Sequence, residues 1–269
     1  SKYLWGKTDE ILKKFKKTKY LFVDENKRSI LDLKDFDLAM KTPVFVLTRG
    51  DGTSLYGLRD VAYTIDKMKR AKKNIIVLGE EQKLYFQQLT AALSLLGIKA
   101  PRVMHYSFVL IVEEGKKSKM ATRLGNLVLL EDFMNEAVKK AKDEIKKRER
   151  ISGKKLEISA KIIGYGAIKY ALLKVAPEKN ILFDWATALS FEGDAAPYVQ
   201  YAYVRCISIL KKARIKLHLK ADFSLLTAPE EFALIKELAN FPEVVKGASI
   251  ELKPHLIVAY LSQLAKSFN

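Results

Sequence analysis

The segment Gly115-Lys116-Lys117-Ser118-Lys119-Met120-Ala121-Thr122-Arg123-Leu124-Gly125-Asn126 concentrates cations between glycines. It follows an apolar strand signal, and its own composition keeps it out of any core. A cationic loop at the carboxyl end of a strand suits a triphosphate, because its charge can meet the charge developing on transferring phosphoryl oxygens. A solvated basic surface loop has the same composition, and by chemistry alone it is the more frequent case. Neither a Walker A sequence nor Gly-x-Gly-x-x-Gly occurs. Gly164-Tyr165-Gly166 falls in a helical context, where glycine serves packing or a bend.

Tyr56 and Asp60 stand four apart at a predicted helix start and so point the same way. On residue type alone, Asp60 is a helix N-terminal charge and Tyr56 a half-buried ring. A second constellation has Tyr198, Tyr201, Tyr203 and Arg205 ahead of Lys211, Lys212, Arg214 and Lys216. Aromatic faces stack unpaired bases and cations hold the backbone of single-stranded RNA. Helix-packing core is the competing use of the tyrosines, and residue types weigh the two equally. His105, His218 and His255 are isolated, and isolated histidines are more often structural or exposed than catalytic. No metal-ligand cluster is predicted.

Three stretches must position these residues. In 1–131, apolar runs alternate with helical patterns: strand signals at 43–47, 74–78 and 108–112, helical periodicity at 58–70 and 80–96. That alternation predicts βαβ units and a parallel sheet, with ligand sites at the carboxyl ends of its strands. In 132–190, Phe133, Ala137, Ala141 and Ile145 form an apolar stripe. Its opposite face carries Lys139, Lys140, Lys142, Lys146, Lys147, Arg148 and Arg150. The stretch 191–269 opens with Gly193 and Pro197 and is predicted all-helical. The fold class expected is therefore α/β followed by all-α.

The chain has 269 residues, 48 Lys plus Arg against 31 Asp plus Glu, and a formal net charge of +17. Its 49% hydrophobic content excludes a disordered basic tail. The charge raises the expectation of a polyanionic partner. Cys206 stands alone, which excludes an intrachain disulfide framework and a Cys-rich zinc site. A reducing, cytoplasmic setting is expected. No apolar run approaches a membrane span, and the N-terminal residues lack a signal-peptide block, so no membrane partner is expected.

Lys119-Met120-Ala121-Thr122-Arg123-Leu124-Gly125-Asn126 resembles the KMSKS-type signature of class I aminoacyl-tRNA synthetases, in the form typical of arginyl-tRNA synthetases. Asp51-Gly52-Thr53-Ser54-Leu55-Tyr56-Gly57-Leu58-Arg59-Asp60 and Gly79-Glu80-Glu81-Gln82-Lys83-Leu84-Tyr85-Phe86 are similar to two further segments of that family. Gly164-Tyr165-Gly166-Ala167-Ile168-Lys169-Tyr170, Pro197 through Arg205, and Phe241-Pro242-Glu243 follow in the family's order. The resemblance implies the second half of a Rossmann-like nucleotide fold over 1–131 with its signature loop at 115–126. It further implies stem-contact helices over 132–190 and an incomplete anticodon-binding bundle over 191–269. Arginine, ATP with Mg2+, and the arginine-accepting tRNA are the implied substrates and partners. Tyr56, Asp60 and Gln82 would bind arginine, since a carboxylate is the natural mate of a permanently charged guanidinium. Lys119 and Arg123 would be catalytic, with Lys119, Met120 and Tyr85 at the ATP. Tyr198, Gln200, Tyr201, Arg205, Lys211 and Lys212 would contact tRNA.

The sequence departs from the family at definite places. Ala121, Thr122 and Leu124 replace residues that are commonly serine or lysine, leaving Lys119 and Arg123 as the main cations of the signature. Tyr85 stands where many members carry a histidine near the nucleotide. The upstream His-Ile-Gly-His element has no counterpart among the three histidines. The chain is therefore expected to be a carboxyl-side fragment, inactive alone, whose partner is the amino-terminal half of the same polypeptide. A non-catalytic paralogue acting as an RNA-binding or regulatory module is the alternative.

Overall fold

A computed structural model of the chain describes residues 5–113, 116–119, 129–148, 150–214 and 222–269. The chain divides into two compact units, Ser1–Tyr106 and Ser107–Asn269.

In the first unit, helix α1 (Trp5–Phe15) precedes three short strands, β1 (Leu21–Val23), β2 (Ser29–Asp32) and β3 (Val44–Val46). These form an antiparallel sheet in the order β1-β2-β3, with Ile30 opposite Val46. Helix α2 (Tyr56–Arg70) buries Leu58, Val61 and Ala62 and ends in Lys67, Lys69 and Arg70, cations suited to the negative end of its dipole. Strand β4 (Ile75–Gly79) leads through a 3-10 turn (Glu80–Gln82) into α3 (Lys83–Leu95), and β5 (Arg102–Tyr106) returns parallel to β4. One core joins these elements: Phe15, Leu31, Leu33, Phe45, Leu47, Leu58, Val61 and Leu93 are all buried. The run at 43–47 thus lies in an antiparallel sheet. The parallel partner of the 74–78 strand is 102–106, whose mixed Arg-Val-Met-His-Tyr gives no apolar signal. Among the described residues β4 pairs with β5 alone, and its Ile75 and Val77 are exposed.

The second unit begins with β6 (Val109–Glu113), the predicted third strand. It pairs antiparallel with β7 (Lys116–Lys119) and parallel with β8 (Ile181–Phe183). Helix α4 (Leu130–Arg148) lies along α5 (Gly153–Leu173) with Phe133, Ala137, Ala141 and Ile145 inward, the stripe read from spacing. Gly164 permits that approach, because a Cβ there would stand 2.7 Å from the Ala137 carbonyl oxygen. Phe133, Phe183 and Trp185 cluster with ring centroids 4.8–4.9 Å apart. A short helix α6 (Trp185–Ala188) is capped by Asp184, whose carboxylate accepts from the Thr187 N–H. Three longer helices follow among the described residues: α7 (Ala196–Ala213), α8 (Pro229–Glu251, with Pro242 inside) and α9 (His255–Phe268). Helices α8 and α9 pack together near that proline, where the Tyr260 hydroxyl donates to the Glu237 carbonyl at 3.1 Å. No helix among the described residues is long and apolar enough to cross a membrane.

Candidate functional site

The start of α2 is set by the turn before it. The Asp51 carboxylate accepts from the Thr53 N–H at 2.8 Å, and that bond holds its carboxyl below the usual range. Arg59 ties the turn to the helix: its Nε donates to Ser54 Oγ at 3.1 Å and its Nη2 to the Ser54 carbonyl at 2.6 Å. The same guanidinium lies 5.8 Å from the centre of the Tyr56 ring. Tyr56, the first residue of α2, is 77% exposed, so it is a free ring and not a packing one.

Asp60 sits one turn further on, half-buried. Its Oδ2 accepts from the Tyr85 hydroxyl at 2.5 Å, a contact between α2 and α3. Among the described residues no side chain donates to its Oδ1. Burial first, and then the bond to Asp60, push the Tyr85 phenol well above its ordinary range, so it is a neutral donor at physiological pH. The Tyr85 ring meets Phe45 edge-on at 5.8 Å. Phe45 in turn lies against Gly57, where a Cβ would stand 2.6 Å from its Cζ. Sequence reasoning placed Tyr85 near the nucleotide and missed this contact. A tyrosine and an aspartate 25 residues apart on different helices carry no local signal.

Gln82 is exposed at the end of the 3-10 turn that follows the carboxyl end of β4, the position where parallel strands present ligand sites. Lys119 ends β7, with its backbone opposite Leu110 of β6. The first part of the expected loop is therefore strand, because residues 116–119 complete a ladder with Leu110–Glu113. Met120 and Arg123 lie outside the described residues. His105 packs edge-on against Phe86 at 6.2 Å, with its Nδ1 3.5 Å from the Gly79 carbonyl, as an isolated structural histidine would.

On α7 the tyrosines divide. Tyr201 and Tyr203 are exposed, at 56% and 67%, while Tyr198 is half-buried. Arg205, Lys211 and Lys212 are exposed on the same helix. Gln200 turns toward α5: its Nε2 donates to the Ile162 carbonyl at 3.2 Å and occupies the space that Gly166 leaves open. Its Oε1 is buried without a partner among the described residues. Gly166 therefore serves packing, as its helical context implied.

Comparison with known proteins gives these residues a setting. The family described as tRNA synthetases class I (R), catalytic domain, matches residues 5–185, and the DALR anticodon binding domain matches residues 199–269. The arginine–tRNA ligase of Methanocella arvoryzae is 45% identical over 98% of this chain and 45% of its own length. That of Methanocaldococcus jannaschii is 38% identical over 98% of the chain and 44% of its own length. The solved Thermus thermophilus arginyl-tRNA synthetase superposes with a TM-score of 0.82 at 27% identity, over 98% of this chain and 49% of that one. The chain thus spans about half the length of the curated relatives it matches. By the extent and colinearity of these matches, the chain belongs to the arginyl family of class I tRNA synthetases and carries part of its catalytic domain followed by its helical anticodon-binding domain.

Proposed function

We propose that this chain is the carboxyl-side part of an arginine–tRNA ligase, supplying its arginine pocket, signature segment and tRNA-facing helices. The observation that carries this reading is the Tyr56–Asp60 pair on the first turns of α2, an exposed ring beside a half-buried carboxylate with an oxygen ready to accept. A guanidinium is planar, always charged and rich in donors, so such a carboxylate selects it over a neutral side chain of equal length. Tyr56 covers the guanidinium with its ring, and Gln82 contributes a polar contact from the end of β4.

In the first reaction a carboxylate oxygen of arginine attacks the α-phosphorus of ATP, which enters as its Mg2+ complex. The bond to the bridging oxygen breaks and pyrophosphate leaves. In the second, a terminal ribose hydroxyl of the tRNA attacks the arginyl carbonyl carbon, loses its proton, and AMP departs. By the family resemblance, Lys119 and Arg123 are the cations that stabilise charge developing on the phosphates, and Met120 belongs to the nucleotide site. Tyr198, Tyr201 and Arg205 face tRNA, Lys211 and Lys212 hold its backbone, and Gln200 seats α7 on α5 for that purpose.

The test is arginine-dependent ATP–pyrophosphate exchange and aminoacylation in the complete polypeptide carrying this sequence. Lys119→Ala is expected to lower turnover by about 100-fold, the scale for losing one transition-state contact, while tRNA affinity changes less than about twofold. Equal turnover of the variant and the unaltered enzyme would count against the assignment of Lys119.

A further inference from the structure

We infer that Tyr85 is a positioning residue for the arginine side-chain pocket, holding the Asp60 carboxylate in a fixed orientation through its hydroxyl. This rests on the proposed function and deepens it. The geometry runs from backbone to carboxylate in one chain of contacts. Gly57 has no side chain, so the Phe45 ring seats directly on α2. Phe45 is 4% exposed and anchored in the core of the first unit. Its ring fixes the Tyr85 ring edge-on at 5.8 Å. Tyr85 then places its hydroxyl 2.5 Å from Asp60 Oδ2, back on the helix where the series began. Gly57 and Asp60 are three apart, so they share a face of α2, and the ladder closes across α3 and β3.

A short aspartate on a half-exposed helix face otherwise samples several rotamers, and each arginine captured would have to order it. A donor from a core-anchored ring removes that freedom before the ligand arrives. One lone pair of Oδ2 is taken up, and Oδ1 is left as the open acceptor. The hydroxyl that resemblance would direct toward a nucleotide is therefore engaged at the amino-acid side chain. Its neutral, proton-bearing form persists through the physiological range, as a donor to a carboxylate must.

Two measurements on the protein test this. In the complete ligase, Tyr85→Phe keeps the ring packing and removes only the hydroxyl. It is expected to raise KM for arginine about tenfold, with kcat and KM for ATP changed by less than about threefold, the pattern of a lost substrate-orienting contact. In the 269-residue chain, the difference between the alkaline ultraviolet titrations of the unaltered protein and Tyr85→Phe isolates the Tyr85 phenol. Asp60→Asn is expected to move that titration down part of the way, since burial, the larger cause, is retained, with the fold checked by thermal unfolding. An unchanged arginine KM in Tyr85→Phe overturns the proposal and leaves the arginine pocket standing. A rise in ATP KM alone returns Tyr85 to the nucleotide and overturns it equally. A complete ligase with no arginine-dependent exchange removes the functional reading, and the positioning role with it. A Tyr85 titration indifferent to Asp60→Asn would show that the Asp60 carboxylate does not act on the phenol, and overturns the proposal.

Discussion

At the scale of single residues, the second unit has its own buried phenol, and its titration can be turned into a stability measurement. The Tyr170 hydroxyl donates to the Asp194 carboxylate, and Lys174 Nζ donates to the Asp194 carbonyl at 2.9 Å. Burial first, and then the bond to Asp194, push the Tyr170 phenol up to about 12. Burial works to raise the Asp194 carboxyl too, but the Tyr170 hydroxyl and the Lys174 charge outweigh it and hold it below the usual range. The folded state thus keeps the phenol proton where the unfolded chain releases it. The contribution to stability is complete below the ordinary tyrosine pKa near 10 and is lost as pH climbs to about 12. Tyr170→Phe is expected to cost about 1 kcal/mol at neutral pH, the usual net worth of a buried hydrogen bond. The deficit should close as pH rises through that window. Unfolding of both proteins by urea at pH 8, 10 and 11.5 checks it, and a deficit constant across these pH values would contradict the shift.

At the scale of elements, the crossing of α4 on α5 separates two glycines that look alike in sequence. A Cβ at Gly164 would stand 2.7 Å from a backbone oxygen of α4, and a backbone cannot yield without moving its helix. A Cβ at Gly166 would stand 2.5 Å from Gln200 Nε2, the far end of a flexible side chain. Alanine gains about 1 kcal/mol of helix propensity at either site. Overpacking against backbone costs about 1–3 kcal/mol, so Gly164→Ala should be destabilising and Gly166→Ala near neutral. Following Trp185 fluorescence in a Trp5→Phe background reports the unfolding of this unit. Equal effects at the two glycines would mean that the close approach is not tight. The apolar stripe of α4 was legible because helical spacing alone decides which face is buried, and Phe133, Ala137, Ala141 and Ile145 are the buried set. The partners of strands were not legible. The 108–112 run became β6, but its parallel neighbour is Ile181–Phe183, beyond two helices, and no local pattern encodes a pairing at that separation. The four-residue spacing put Tyr56 and Asp60 on one side of α2, but residue type alone made Tyr56 a half-buried ring, and its exposure shows only in the folded chain. The Tyr85 contact that fixes Asp60 depends on how α3 docks, which only the folded chain specifies.

At the scale of the whole molecule, a net charge of +17 attracts any polyanion, so affinity for RNA alone distinguishes nothing. Salt dependence separates general attraction from a built contact. Each phosphate neutralised by a cation releases counterions, giving a log–log slope against salt of about −0.7 to −0.9 per contact. If Lys211 and Lys212, exposed at the end of α7, hold the tRNA backbone, then Lys211→Ala with Lys212→Ala should flatten that slope by about 1.5. Tyr201→Ala should behave differently. Its exposed ring carries no charge, so losing a stacked base weakens binding by about 1–3 kcal/mol and leaves the slope unchanged. Tyr198 is half-buried, so Tyr198→Ala should lower thermal stability as well as affinity. Fluorescence anisotropy with the arginine-accepting tRNA and an unrelated tRNA, from 50 to 300 mM salt, checks all three variants together. A slope unaffected by the double lysine change would place the phosphate contacts on another face, of which the basic side of α4 is the next to test. A Tyr201 effect equal for both tRNAs would make α7 a general stacking surface, and recognition of the proper tRNA would then fall to residues beyond this helix.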